Sequence, residues 1–411
     1  MNEPQNRTLY YIAGAIVLLS LLVLLGWLAF RESSLPAWKP AIVAQVKPFA
    51  RHTGRAVVSQ DDLPSETPVT QPDDSVVTNA AVLYRQAFAL YDALSKEEKE
   101  LLGDWRTNVD ASVEAELCGK IRPICNLMHQ AGVISNCDWG IEPLTFDSKV
   151  PHIGASRRIA RTAIWNAAHC RFNDVTGATD DALATLRLGR HVSQAAVLGC
   201  LVDMAIQNLA MTFVASNLGL FRGADSQRLA AAFDDPVYDE APSRAMEQEA
   251  KMAERWAARW AALSPAEFEK ELSDLQNLLS TGSTVMDRAT ALAELQAYAE
   301  STRRLAKALV SGSQEEYDAW LRDSNELKAS SQLFEIFGDG YDDFVNGARR
   351  AEVRRAMVVA GLAIAQAGSA ALQSHPDPAT GEPFIYTETA DGFELQSGCH
   401  ADGAPLKMQF K

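Results

Sequence analysis

From Leu9 to Phe30 the chain reads LYYIAGAIVLLSLLVLLGWLAF, without a single charged side chain. As a helix this stretch is roughly 33 Å long, enough to cross a hydrocarbon core of about 30 Å. Water cannot solvate such a run, so it constrains everything downstream: the chain reads as one membrane anchor followed by a body. Tyr10, Tyr11 and Trp27 fall near its ends, where amphipathic rings favour the bilayer interface. A cleaved signal peptide has an apolar core of only about 7–15 residues and a small-residue cleavage site. Here no A-x-A follows before Arg31, and the Glu of a type IV pilin leader is missing. Arg7 on one flank faces Arg31, Lys39 and Lys47 on the other. Counting these charges favours a body on the inside by a small margin, but long domains translocate largely regardless of charge. The expectation is therefore a lipid bilayer contact through Leu9 to Phe30 and an extracytoplasmic body.

Residues 31–77 read as a Pro-rich linker, with Pro36, Pro40, Pro48, Pro64, Pro68 and Pro72 interrupting any helix. Beyond it, the composition is that of a folded domain: 47% apolar and 22% charged over the whole 411-residue chain. A formal charge of −15 excludes a general nucleic-acid binder, which needs a basic surface.

Residues 78–373 show helical periodicity. Asn79 caps a helix through Ala93, and Ser95 with Glu98 forms a capping box for a short helix ending at Gly103. Further helices are expected over Ala111–Ala131, His152–Phe172, Thr179–Val192 and Ala196–Leu218, with Asp174, Thr176 and Gly177 as a turn. Ala196–Leu220 is apolar but carries Asp203, Gln207, Asn208 and Asn217, which marks a buried core helix rather than a second span. Short connections imply antiparallel neighbours, hence stacked helical hairpins. In Ala241–Leu263, Met252, Trp256, Trp260 and Leu263 form a packing stripe. Helices over Ser283–Leu309, Ser313–Leu327 and Tyr341–Gln373 follow, and segment 240–330 reads as a protruding antiparallel pair. In the tail, 374–411, Phe384–Thr387 and Phe393–Ser397 alternate around Asp391-Gly392, a β-hairpin signal. The fold class is thus all-α, with one N-terminal transmembrane helix and a small C-terminal β-hairpin.

NAAVLYRQAFALYDALSKEEKELLGDW (79–105), NCDWG (136–140), VPHIGASRRIAR (150–161), ALATLRLGRH (182–191) and DPATGEPFIYTETADGFELQS (377–397) together resemble a group of bacterial single-span, mostly helical proteins of unknown function. The resemblance implies a single-pass protein of the bacterial inner membrane. The D-P-x-T-G-x-P-F-x-Y pattern at 377–386 also resembles the ends of type II secretion pseudopilins, and implies at most a shared small module.

No G-x-S-x-G, H-E-x-x-H, P-loop or C-x-x-C is present, so no cofactor and no metal centre is expected. His152, Arg157, Arg161, Arg190 and His191 form the main polar set; it reads as an anion or carboxylate pocket, or as internal ion pairs with Asp138, Asp174, Asp180 or Asp203. Arg349, Arg350, Arg354 and Arg355 read as a solvated face paired with Glu352 and its neighbours, and Asp339, Asp342 and Asp343 as the N-terminal charge of the last helix. Among six cysteines, Cys118 and Cys125 lie two turns apart on one face, too far to bridge. Cys125 and Cys137 could pair across the helix end, and the alternative is buried free thiols. His129, His152 and His169 share this region with them, but zinc needs three or four converging ligands. The expected function is a non-enzymatic, membrane-tethered interaction or scaffold protein with an unidentified protein partner. The alternative is a hydrolase-like enzyme with a pocket around His152, Arg161, His169 and His191. A third option, a component of a secretion assembly, rests on the tail alone.

Overall fold

A computed structural model describes residues 77–141, 149–171, 173–194, 196–279, 286–338, 340–401 and 404–411. The anchor at Leu9–Phe30 and the linker to residue 76 lie outside them. The described chain is mostly helical with a small three-stranded antiparallel sheet at its C-terminal end.

The helices are α1 (Ala80–Asp92), α2 (Lys96–Leu101), α3 (Ala111–Gly132), α4 (Pro151–His169), α5 (Val175–Val192), α6 (Ala196–Ser216), α7 (Gly223–Phe233), α8 (Val237–Ala262), α9 (Pro265–Leu279), α10 (Arg288–Ser311), α11 (Gln314–Ser330), α12 (Gln332–Phe337) and α13 (Tyr341–Ala367). Local chemistry sets several of their ends. Asn79 Oδ1 accepts from Ala81 N at 3.0 Å. Ser95 and Glu98 exchange the two bonds of a capping box. Asp174, expected in a turn, is instead the N-cap of α5, accepting from Gly177 N at 2.9 Å, so that helix starts four residues earlier than Thr179. At the other end of the body, Gly368 adopts φ 78° and stops α13 at Ala367, short of Gln373. Helix α7, and α12 after it, had no counterpart in the sequence reading.

Packing is organised around α6. Its Val202 and Ile206 belong to an apolar cluster with α1, α3, α4 and α5. Its Cys200 and Met204 join a second, with α8, α10 and α13. Its Ala210, Met211, Phe213 and Val214 enter a third, with α5, α7, α13 and the sheet. A helix apolar on all sides must be enclosed on all sides. Among the described residues α6 is also the one helix long and apolar enough to cross a membrane by length and composition.

Helices α8 and α10 pack along their length, with Trp260 fully buried against Phe268 and Trp256 edge-on to Phe337. The aromatic stripe of α8 is thus core.

The tail holds one strand more than the expected hairpin. β1 (Ile385–Thr389) and β2 (Gly392–Ala401) pair as read, and β3 (Ala404–Phe410) adds to the other edge of β2. Phe410 is fully buried against α13, where Gly361 leaves room: a Cβ there would sit 2.4 Å from the Phe410 ring. Asp377 explains the D-P-x-T-G pattern. It is buried and accepts from Ser397 Oγ (2.6 Å), Gly398 N (2.8 Å) and Ala379 N (3.0 Å), fastening the loop to β2.

Candidate functional site

The five polar residues singled out in the sequence separate into three places. His152 and His191 come together around Trp139, in the loop after α3. The indole stacks on His152 at 4.4 Å between centroids, on Tyr84 at 5.8 Å and on Phe88 at 6.0 Å. Its Nε1 donates to His191 O at 2.9 Å. Tyr84 Oη lies 3.0 Å from His191 Nδ1. The loop is held by Asn79, whose Oδ1 accepts from Asp138 N (2.9 Å) and whose Nδ2 donates to Asp138 O (2.9 Å). Burial pushes both imidazoles down, to about 4, with Arg85 adding to the effect at His152 and Arg190 at His191. Both rings are therefore neutral near pH 7, and His152 Nε2 has no hydrogen-bond partner among the described residues.

Arg190 points the other way, into a polar node between α5, α6, α8 and α13. It pairs with Asp235 at 2.8 Å and lies 4.7 Å over the Tyr238 ring. Arg355 covers the same ring at 5.1 Å, donates to Gln207 Oε1 at 3.1 Å and pairs with Asp239. Next to it Arg354 donates to Asn208 Oδ1 at 2.8 Å. The basic cluster of α13 is therefore not the solvated face expected of it. Arg354 and Arg355 are buried, and the amides of α6 receive them. Asp203 lies in this node at 1% exposure, and its Oδ1 meets no donor. Burial raises its carboxyl to about 7 against the opposing pull of Gln207 and three arginines. Glu249 on α8, buried and bonded through Val197 N (3.2 Å), also rises to about 7.

Arg157 and Arg161 occupy a third place, the outer face of α4, half-buried and exposed respectively. His169, also proposed for an enzymatic pocket, stacks on Trp165 at 4.2 Å and bonds Trp105 O at 2.9 Å. His152, Arg161, His169 and His191 thus do not converge on one cavity. A pocket of about 20 Å³, room for little more than one water, opens elsewhere, between Ala167, Arg171, Val175, Phe213 and Phe221.

The sequence reading missed a buried triad. Asp181 accepts from His129 Nε2 (2.8 Å) and Asn166 Nδ2 (2.6 Å), joining α3, α4 and α5. The sequence left two readings open for Cys125 and Cys137, a bond between them or buried free thiols; the second is the one found, and the disulfide lies elsewhere. The bond joins Cys118 to Cys170, with Cα atoms 5.7 Å apart, and ties α3 to the end of α4. Cys125 and Cys137 are free and buried. Cys125 faces Asp181 on α5, while Cys137 sits by Ala81 and Arg85 on α1, so the two thiols look towards different helices. Among the described residues no group of three or more His, Cys, Asp or Glu could hold a metal ion.

No family model, no curated protein and no solved structure matches this chain.

Proposed function

We propose that this chain is a membrane-tethered interaction protein, held in the bacterial inner membrane by Leu9–Phe30, with its stacked helical body outside the cytoplasm. The observation that carries this reading is the Cys118–Cys170 disulfide. Structural disulfides persist in oxidising compartments and are rare in the cytosol. A non-enzymatic role is supported by what the body does with its histidines. His152 and His191 are neutral, packed against aromatic rings, and hold the Trp139 loop on α4 and α5. A general acid or base must instead reach its substrate within hydrogen-bond distance.

Two measurements test the reading together. In protein alkylated under denaturing conditions straight from cells, the four free thiols react without reductant, and Cys118 and Cys170 only after reduction. A cysteine placed at an exposed site of the sheet, Glu388→Cys, is expected to react with a membrane-impermeant maleimide in intact cells. If it reacts only after the cells are broken, the body is inside and the assignment fails.

A further inference from the structure

Between Ser148 and Asn173 the chain carries Lys149, Arg157, Arg158, Arg161 and Arg171 and no Asp or Glu, in a protein with 53 acidic residues. Three of these arginines stand within two turns on the outer face of α4. Only Arg158 is engaged: it pairs with Asp92 at 3.6 Å and lies 5.6 Å over the Tyr91 ring. Among the described residues Arg157 and Arg161 make no hydrogen bond or ion pair. They are one turn apart at i, i+4, where like charges repel. Arg157 is also partly withdrawn from water, and burial first, Arg161 second, lowers its proton affinity below the ordinary value. Beside them the Tyr91 side chain is buried at 7% exposure and its hydroxyl has no partner among the described residues, while feeling the charges of Arg158 and Arg161. Two guanidinium forks one turn apart, with the Tyr91 phenol near the second of them, thus have their bonds unmade, while Asp92, the other charge near Tyr91, is paired with Arg158.

We propose that Arg157, Arg161 and Tyr91 form a binding site for a phosphate group. A carboxylate has two oxygens and is satisfied by a single fork; two forks and a hydroxyl match the several oxygens and greater charge of a phosphate. The bound anion removes the repulsion between the two arginines and supplies acceptors for all three donors. The phosphate can belong to a soluble molecule or to a lipid headgroup, since the recognition chemistry is the same. The site stands independently of the side of the membrane on which the body lies.

The test uses the full-length chain purified in neutral detergent, and in lipid nanodiscs. In one arm inorganic phosphate replaces chloride at constant ionic strength. In the other, discs of zwitterionic lipid are compared with discs containing phosphatidylglycerol. The wild-type protein is expected to show a saturable rise in its thermal midpoint in at least one arm. In R157Q/R161Q the affinity in that arm falls at least tenfold, because each charge-assisted bond to an ionised partner contributes about that factor. R158Q, whose guanidinium already has Asp92, changes affinity less than about threefold. A response to inorganic phosphate assigns a soluble ligand; a response confined to the anionic discs assigns a headgroup. Without any anion, R157Q/R161Q should melt no lower than wild type, since the substitutions relieve repulsion. A lower midpoint would make the arginines structural and overturn the site, as would no saturable response in either arm or an equal response in the double variant.

Discussion

Removing the Cys118–Cys170 bond should destabilise the body by about 4 kcal/mol in the chain-entropy treatment of a closed loop. The bond spans 52 residues of sequence, containing the rest of α3, the α3–α4 connection and all of α4. The comparison is C118A/C170A against wild type in urea at fixed pH. The double alanine variant isolates the covalent link, because neither half-cystine is left as a free thiol. Reductant added to wild type should reproduce most of the loss, while C125A, which removes a buried free thiol, responds to reductant as wild type does. A midpoint unchanged on reduction would mean that the bond does not form, and the argument for an oxidising compartment would fall with it.

The second large effect is in the pH profile, where buried groups of opposite sign oppose one another. Asp203 and Glu249 sit at about 7 in the folded protein, above the ordinary carboxyl values of 3.8 and 4.5. Between those limits the native state keeps protons that the unfolded chain has released, so these two groups make stability fall as pH rises from about 4 to 7. His152 and His191 sit at about 4, below the ordinary 6.5. Between those limits the unfolded chain binds protons that the native state refuses, so these two make stability rise with pH over much of the same range. Wild type is therefore expected to show a shallow profile from pH 4.5 to 6.5 and a decline from there to pH 7. D203N removes one falling contribution. Relative to wild type it should gain about 2–3 kcal/mol between pH 5 and pH 8, from roughly two pH units of titration at 1.36 kcal/mol each. His152→Phe keeps a ring on Trp139 and removes one rising contribution, so relative to wild type it does better at pH 5 than at pH 7 by about 2 kcal/mol. Parallel profiles for wild type and D203N would show that Asp203 does not titrate in this window.

What could be read from the sequence was whatever local chemistry fixes. Asn79 and the Ser95–Glu98 box mark helix starts through bonds spanning two or three residues. Helix α6 was legible as core because its polar residues are few and spread around an apolar cylinder. What escaped depends on partners far along the chain. Arg355 meets Gln207 across 148 residues, and no neighbour in sequence announces that an RR pair will turn inward. Cys118 meets Cys170 because α3 and α4 pack in one particular register. Strand β3 had a local signal, since Leu406, Met408 and Phe410 alternate, but it follows a completed hairpin and gains its meaning only when Phe410 seats against Gly361. Of the residues singled out, His152 and His191 lie together against Trp139. Arg190 was drawn off by Asp235, and Arg157 with Arg161 stayed on the outer face of α4.

Helix α6 supplies side chains to three of the four apolar clusters. None of those three can be taken apart without opening a wall of the other two. The part of the body built on these three clusters consequently has no natural seam along which it could be divided into fragments that stand alone, and an insertion is best tolerated at an open connection such as Gly312, where an added Cβ would meet nothing within 4 Å.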